Sequence, residues 1–354
     1  MARFKTGAPE KGRAALRVLI VGPSWLGDAV MMGALIQRLK AARPERQIAV
    51  LTPAHLEDLV ARLPGVEETV LNPFAHGALE LGERARFGRA LKGRFDEAYV
   101  LPQSWKSALV PWFARIPRRV GFVGEARWGL LTDARRLDEA ALPRLVDRFA
   151  LLAEPRGAPR PTETPAPRLA VDPAEMASAM ARLGLAASRP AVALCVGAEY
   201  GPAKRWPAAH FAALARRLAQ AGFDAWAIGG PGDAPIGAEA AALARGALVD
   251  LTGRTSLVEA VSLLAAAAVV VCNDSGLMHV AAALGRPIVA LYGSTSPDFT
   301  PPLTPDATIL RLGLDCSPCF ERTCPLGHFK CLNELTPEQA WRAVAPRLPG
   351  GWPA

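Results

Sequence analysis

The sequence predicts an α/β protein made of two parallel-sheet halves with a ligand cleft between them. Three observations carry this. Short apolar strands alternate with helical patterns over residues 17–101. The alternation breaks at a proline-rich stretch, 155–173, and restarts over 191–292. Strand–helix alternation of this kind builds parallel sheets covered by helices on both faces. Such sheets bind ligands at the carboxyl ends of their strands.

In the first half, residues 17–22 form a short apolar strand and 28–40 a helix with apolar positions at helical spacing. A strand at 47–52, a helix at 55–63 and strands at 70–71 and 97–101 follow. Pro155, Gly157, Pro159, Pro161, Pro165, Pro167 and Pro173 then interrupt the pattern with no apolar period, and mark a linker. The second half reads strand 191–196, helix 207–221, strand 224–228, strand 248–250, helix 257–266, strand 268–272, helix 276–284 and strand 287–292. The result is two Rossmann-like halves.

Half of the 354 residues are apolar, which suits folded cores rather than disorder. No targeting segment is expected, because the apolar run after the basic start is short. The most apolar window, 257–272, carries Glu259 and is shorter than the ~20 residues that span a bilayer. A cytoplasmic protein is therefore expected. The net charge of +8 is uneven: residues 1–170 hold 27 Lys/Arg against 18 Asp/Glu, a net of +9. An anionic partner for that half and a merely soluble basic surface fit this equally.

Three strand-to-helix turns carry chemistry. At Asn273-Asp274-Ser275-Gly276 a buried strand stops and a helix begins, with Leu277 and His279 in its first turn. The free amides and positive dipole end of such a helix accept a phosphate. Alone, the stretch reads more readily as a capped helix start with Asp274 or Ser275 at the cap and His279 in the core. The second turn, Gly197-Ala198-Glu199-Tyr200-Gly201-Pro202-Ala203-Lys204-Arg205-Trp206-Pro207, puts two cations before a helix, where the dipole disfavours them. They fit a departing diphosphate. The third, Gly22-Pro23-Ser24-Trp25-Leu26-Gly27-Asp28, offers Asp28 as a general base or as a simple N-cap. No dinucleotide fingerprint and no P-loop is present. Cys316, Cys319, Cys324 and Cys331 lie at spacings near those of metal ligands. They read either as a structural metal site or as small thiols, with nothing placing them near the cleft.

Together, the Ser24–Asp28 turn, the 197–207 loop, the 273–285 stretch and the late cysteine segment resemble the ADP-heptose–lipopolysaccharide heptosyltransferases of glycosyltransferase family 9. The loop and the cysteine segment point to the heptosyltransferase II branch. The likeness covers roughly residues 16–347. It implies a GT-B architecture: an acceptor-binding domain at 16–165, a nucleotide-sugar-binding domain at 166–335, a tail at 1–15, and a C-terminal helix and tail at 336–354. It implies inverting transfer of L-glycero-D-manno-heptose from ADP-heptose to heptosyl-Kdo2-lipid A, with no cofactor required. Asp28 matches the base and Lys204 the cation at the donor phosphates. Asp274, Ser275, Gly276, Leu277 and His279 match the donor-binding turn, with Glu199 and Tyr200 at more variable donor contacts. The anionic, membrane-held acceptor implies a peripheral enzyme at the inner face of the inner membrane. Lys106, Arg118, Arg119 and Arg127 are candidate acceptor contacts. The alternatives are another nucleotide-sugar donor, a sugar epimerase, or a basic nucleic-acid-binding protein. The last is disfavoured because no binding module is recognisable.

Overall fold

The computed structural model describes residues 15–75, 77–159, 162–185 and 188–350. The expected tail at 1–15 lies almost wholly outside these, as do Pro161 of the proline-rich stretch and the last four residues.

Two six-stranded sheets form the framework. The first holds β1 (Arg17–Val21), β2 (Gln47–Thr52), β3 (Glu68–Leu71), β4 (Glu97–Val100), β5 (Arg118–Phe122) and β6 (Asp133–Arg135). The second holds β7 (Ala191–Cys195), β8 (Asp224–Ile228), β9 (Val249–Asp250), β10 (Val269–Asn273), β11 (Ile288–Leu291) and β12 (Ala307–Leu310). Their orders are β3-β2-β1-β4-β5-β6 and β12-β11-β10-β7-β8-β9. Read from its other edge, the second repeats the order of the first. Every pairing is parallel. The central strands are short apolar runs, and β7 and β10 are buried along their whole length. Helices cover both faces of such strands, so they read as unbroken apolar runs rather than alternating ones.

Three boundaries differ from the sequence expectation. The helix expected at 28–40 is two, Leu26–Met31 and Gly33–Ala42. The break falls just before Gly33, where Pro167 lies 3.3 Å from the position a side chain would take. Asn273 belongs to β10, paired with Leu291, so the turn shortens to Asp274 and Ser275. Pro173 is not linker: it opens the helix Pro173–Arg182, with Asp172 as N-cap accepting from the Ala174 amide at 2.8 Å.

The preceding stretch is tied to both halves. Gln37 donates to the Ala166 carbonyl (2.9 Å) and the Ala170 amide to Arg62 (3.1 Å) in the first half. The Leu169 amide donates to Ala283 (3.1 Å) in the second. One buried apolar cluster runs from Val18 and Leu35 through Leu263 and Val280, so the two halves share a core. Among the described residues, no helix is long and apolar enough to cross a membrane.

Candidate active site

In each sheet the strand order reverses at one place, between β1 and β4 and between β7 and β10. Loops leaving such switch points diverge and leave a crevice. Asp28 follows β1, Lys204 follows β7 and Asp274 follows β10. All three line one cleft of about 920 Å³. Glu199, Tyr200, Ser275, Gly276, Leu277 and His279 line it too. Residues of both halves that the sequence singled out therefore meet in one place.

Asp28 is not an N-cap. The helix starts at Leu26 after Trp25, and Asp28 sits inside its first turn. Burial between the two halves pushes its carboxyl up to about 6, against a smaller lowering by the Lys204 charge. A carboxylate poised there is suited to taking a proton near neutral pH.

Lys204 is held by Asp274, Nζ to Oδ2 at 2.6 Å, with both side chains mostly buried. The Thr295 hydroxyl donates to the same oxygen at 2.5 Å. The Lys204 ammonium also stands 5.0 Å from the centre of the Tyr200 ring. Asp274 is thus the anchor of a cation rather than a helix cap. Ser275 holds the N-cap position of the helix Gly276–Ala283, yet its side chain makes no cap bond and its buried Oγ has no partner. The first amides of that helix have no intrahelical acceptor. A hydroxyl and amides without partners at a positive dipole end make an anion cradle.

Asn273, in contrast, is structural. It is fully buried, donates to the carbonyls of Val196 (3.0 Å) and Gly197 (3.2 Å), and accepts from the Trp206 amide (3.0 Å). It thereby fixes both ends of the loop that carries Lys204. His279 is buried, and burial lowers its imidazole to about 4. It is neutral at physiological pH, with Nδ1 lacking a hydrogen-bond partner.

The four basic acceptor candidates are not gathered at the cleft. Arg118 pairs with Glu97 (2.7 Å) and Asp133 (3.6 Å). Arg119 donates to the carbonyls of Leu130 and Ile116. Arg127 is buried and clips together the carbonyls of Phe122, Pro102 and Val100. Lys106 donates to the Gly77 carbonyl at 2.7 Å. Their charges are taken up by strands and loops of the first half. That half presents Trp25, Leu26, His55 and Leu56 to the cleft instead.

The cysteine segment is misplaced by the sequence reading. Phe320 and Arg322, which lie within it, line the cleft. Its thiols are free, and among the described residues no group of three or more His, Cys, Asp or Glu side chains is placed to hold a metal ion. Sequence reasoning also missed Thr295 and Asp233, both of which line the cleft from loops without a recognisable motif.

A buried carboxyl in one parallel-sheet half, across a cleft from a cation and a helix start in the other, is an arrangement suited to a two-domain α/β transferase. Comparison with known proteins narrows this. The model of glycosyltransferase family 9 (heptosyltransferase) matches residues 84–330. Over 334 residues the chain is 43% identical to lipopolysaccharide heptosyltransferase 2 of Salmonella typhimurium, covering 92% of this chain and 96% of that protein. It is 44% identical over 308 residues to lipooligosaccharide heptosyltransferase 2 of Haemophilus influenzae, covering 84% and 89%. The structure of ADP-heptose lipopolysaccharide heptosyltransferase II from E. coli superimposes with a TM-score of 0.84 at 40% identity, covering 94% of this chain and 98% of that one. The chain belongs to glycosyltransferase family 9, and its fold is the GT-B fold of the heptosyltransferases.

Proposed function

We propose that this glycosyltransferase moves L-glycero-D-manno-heptose from ADP-heptose to the heptosyl-Kdo2-lipid A inner core of lipopolysaccharide, inverting the anomeric centre. The observation that carries the reading is the meeting of Asp28 with the Lys204–Asp274 pair across one cleft. The relatives named above supply the substrate class.

In this reading the second half binds ADP-heptose and the first half presents the acceptor. An acceptor hydroxyl oxygen attacks the anomeric carbon from the face opposite ADP, and its proton passes to Asp28. The bond from that carbon to the β-phosphate oxygen breaks, and its electron pair leaves with ADP. Charge on the sugar is oxocarbenium-like at the transition state, as in glycoside chemistry generally. Charge gathering on ADP is met by Lys204, the Ser275 hydroxyl and the amides at the start of the helix Gly276–Ala283. No step is assigned to a metal. The reading places the enzyme peripherally at the inner face of the inner membrane, where its acceptor is held. The excess of Lys and Arg in the first half suits that anionic surface.

Turnover of the purified protein with heptosyl-Kdo2-lipid A and a panel of ADP- and UDP-sugars tests this. The reading expects release of ADP and addition of one heptose with ADP-heptose. Transfer from a UDP-sugar in preference to ADP-heptose would overturn the donor assignment.

A further inference from the structure

The segment 316–331 packs against two loops of the donor half. Tyr200 Oη donates to the Phe320 carbonyl at 2.6 Å, and the Ala203 amide donates to the Arg322 carbonyl at 3.0 Å. Gly201 lies so close that a Cβ there would come within 2.4 Å of the Arg322 carbonyl oxygen. On the other side the Phe320 amide donates to Ser294 (2.6 Å) and the Ser317 hydroxyl to Gly293 (2.6 Å). The segment is therefore fastened between the loops that follow β7 and β11. Both loops leave the carboxyl edge of the sheet, so residues 320–322 are fixed at the cleft rim.

The charges lining the cleft are unequal in their commitments. Three fixed cations line it: Lys204, Arg205 and Arg322. Lys204 is neutralised by Asp274 at 2.6 Å, and Arg205 is drawn toward Asp233 at 3.9 Å. Arg322 forms no ion pair among the described residues. Its guanidinium stands instead 5.2 Å from the centre of the Tyr200 ring. Lys204 addresses the same ring from 5.0 Å. Stacking on an aromatic orients a guanidinium without consuming its hydrogen-bond donors. A nucleotide diphosphate brings at least two negative charges into a site whose carboxylates already offset Lys204 and Arg205.

We propose that Arg322 is a diphosphate-binding residue of the donor site, oriented by Tyr200 and carried to the cleft by the cysteine-containing segment. Its planar fork suits two phosphate oxygens at once, which a lysine there cannot match. The proposal deepens the reading given under Proposed function and rests on it. The segment thereby acquires a role in substrate binding that its cysteines alone do not indicate.

Calorimetric titration of the full-length protein with ADP and with AMP tests it, comparing wild type, Arg322→Gln and Arg322→Lys. Arg322→Gln is expected to weaken ADP binding about tenfold or more, as for loss of a charge-assisted contact, and to leave AMP binding within about twofold. Arg322→Lys is expected to recover part of the loss. Retained AMP binding reports that the variant is folded; if Arg322→Gln does not fold, a loss for ADP but not AMP in Arg322→Lys carries the test. Wild-type ADP affinity in Arg322→Gln overturns the proposal alone. Equal losses for ADP and AMP also overturn it, because the effect is then not on the second phosphate. Wild-type protein that binds no ADP overturns the donor reading and this proposal with it.

Discussion

Gly27 and His279 meet across the two halves: a Cβ on Gly27 would lie 2.6 Å from Cδ2 of His279. The contact is matched by a second, in which a Cβ on Gly276 would lie 2.7 Å from the Cβ of Leu26. Each glycine lies in the first turn of a helix, and each admits a side chain from the other half. The two cleft-lining turns are therefore seated on one another, and the distance from Asp28 to the turn at Asp274 depends on residues with no side chain.

Gly27→Ala places a methyl 2.6 Å from Cδ2 of the buried His279 ring, so the ring or the helix must shift. Overpacking of this kind costs about 1–3 kcal/mol. Transfer is expected to fall about tenfold or more, because a small misplacement of reacting groups is costly. Thermal unfolding and steady-state rates check both effects; a variant with wild-type rate and stability contradicts the contact.

The pH dependence follows from Asp28. Its carboxyl is raised to about 6 by burial, so the base is protonated and idle below that pH. The kcat/KM profile is expected to rise through pH ~6 to a plateau. Lys204 lowers the Asp28 value, so Lys204→Met moves this acid limb to higher pH while also weakening the donor. An unshifted limb in Lys204→Met contradicts the coupling between the two halves.

The same shift makes Asp28 a cost to folding. A carboxyl whose folded value exceeds its unfolded value near 3.9 favours the protonated fold, so stability is lost as pH rises from about 4 through about 6. Asp28→Asn removes that cost. It is expected to stabilise the protein at pH 7.5 by about 1–3 kcal/mol and to give much less at pH 4. Denaturant unfolding at the two pH values measures this, and an equal effect at both contradicts it.

Asn273 should behave differently from its neighbours. Asn273→Ala removes three buried hydrogen bonds and leaves the Val196 and Gly197 carbonyls and the Trp206 amide without those partners. The expected loss is about 2–4 kcal/mol of stability, with weaker donor binding because the Lys204 loop loses its staple. Ser275→Ala, which removes a hydroxyl without a partner, is expected to weaken the donor while leaving stability nearly unchanged. Unfolding curves and donor KM for the pair check the contrast. Equal destabilisation by both substitutions contradicts the division of roles.

Much of this was legible in the sequence where a strand is apolar and a turn follows it. β1, β7, β8 and β10 and the helix Leu257–Ala266 stand out because burial on both faces, or a capping box at Ser256 and Glu259, writes itself into a few residues. β5 and β6 did not, since Arg118–Phe122 and Asp133–Arg135 carry charged residues that pair across neighbouring strands, and β12 is a four-residue strand at the sheet edge. The site motifs were readable because helix starts and cations obey local rules. The roles of Arg118, Arg119 and Arg127 were not, since composition records a charge but not the carbonyls that absorb it. Nor was the arrival of Phe320 and Arg322 at the cleft, which depends on long-range backbone hydrogen bonds to Ser294 and Ala203 that have no sequence signature.

The central claim is that proton removal belongs to Asp28 in one half while ADP is held by the other. Parallel measurement of heptose transfer and ADP affinity in Asp28→Ala tests it most directly. The account predicts transfer reduced to background with ADP affinity kept near that of wild type. Transfer that survives the substitution would contradict it.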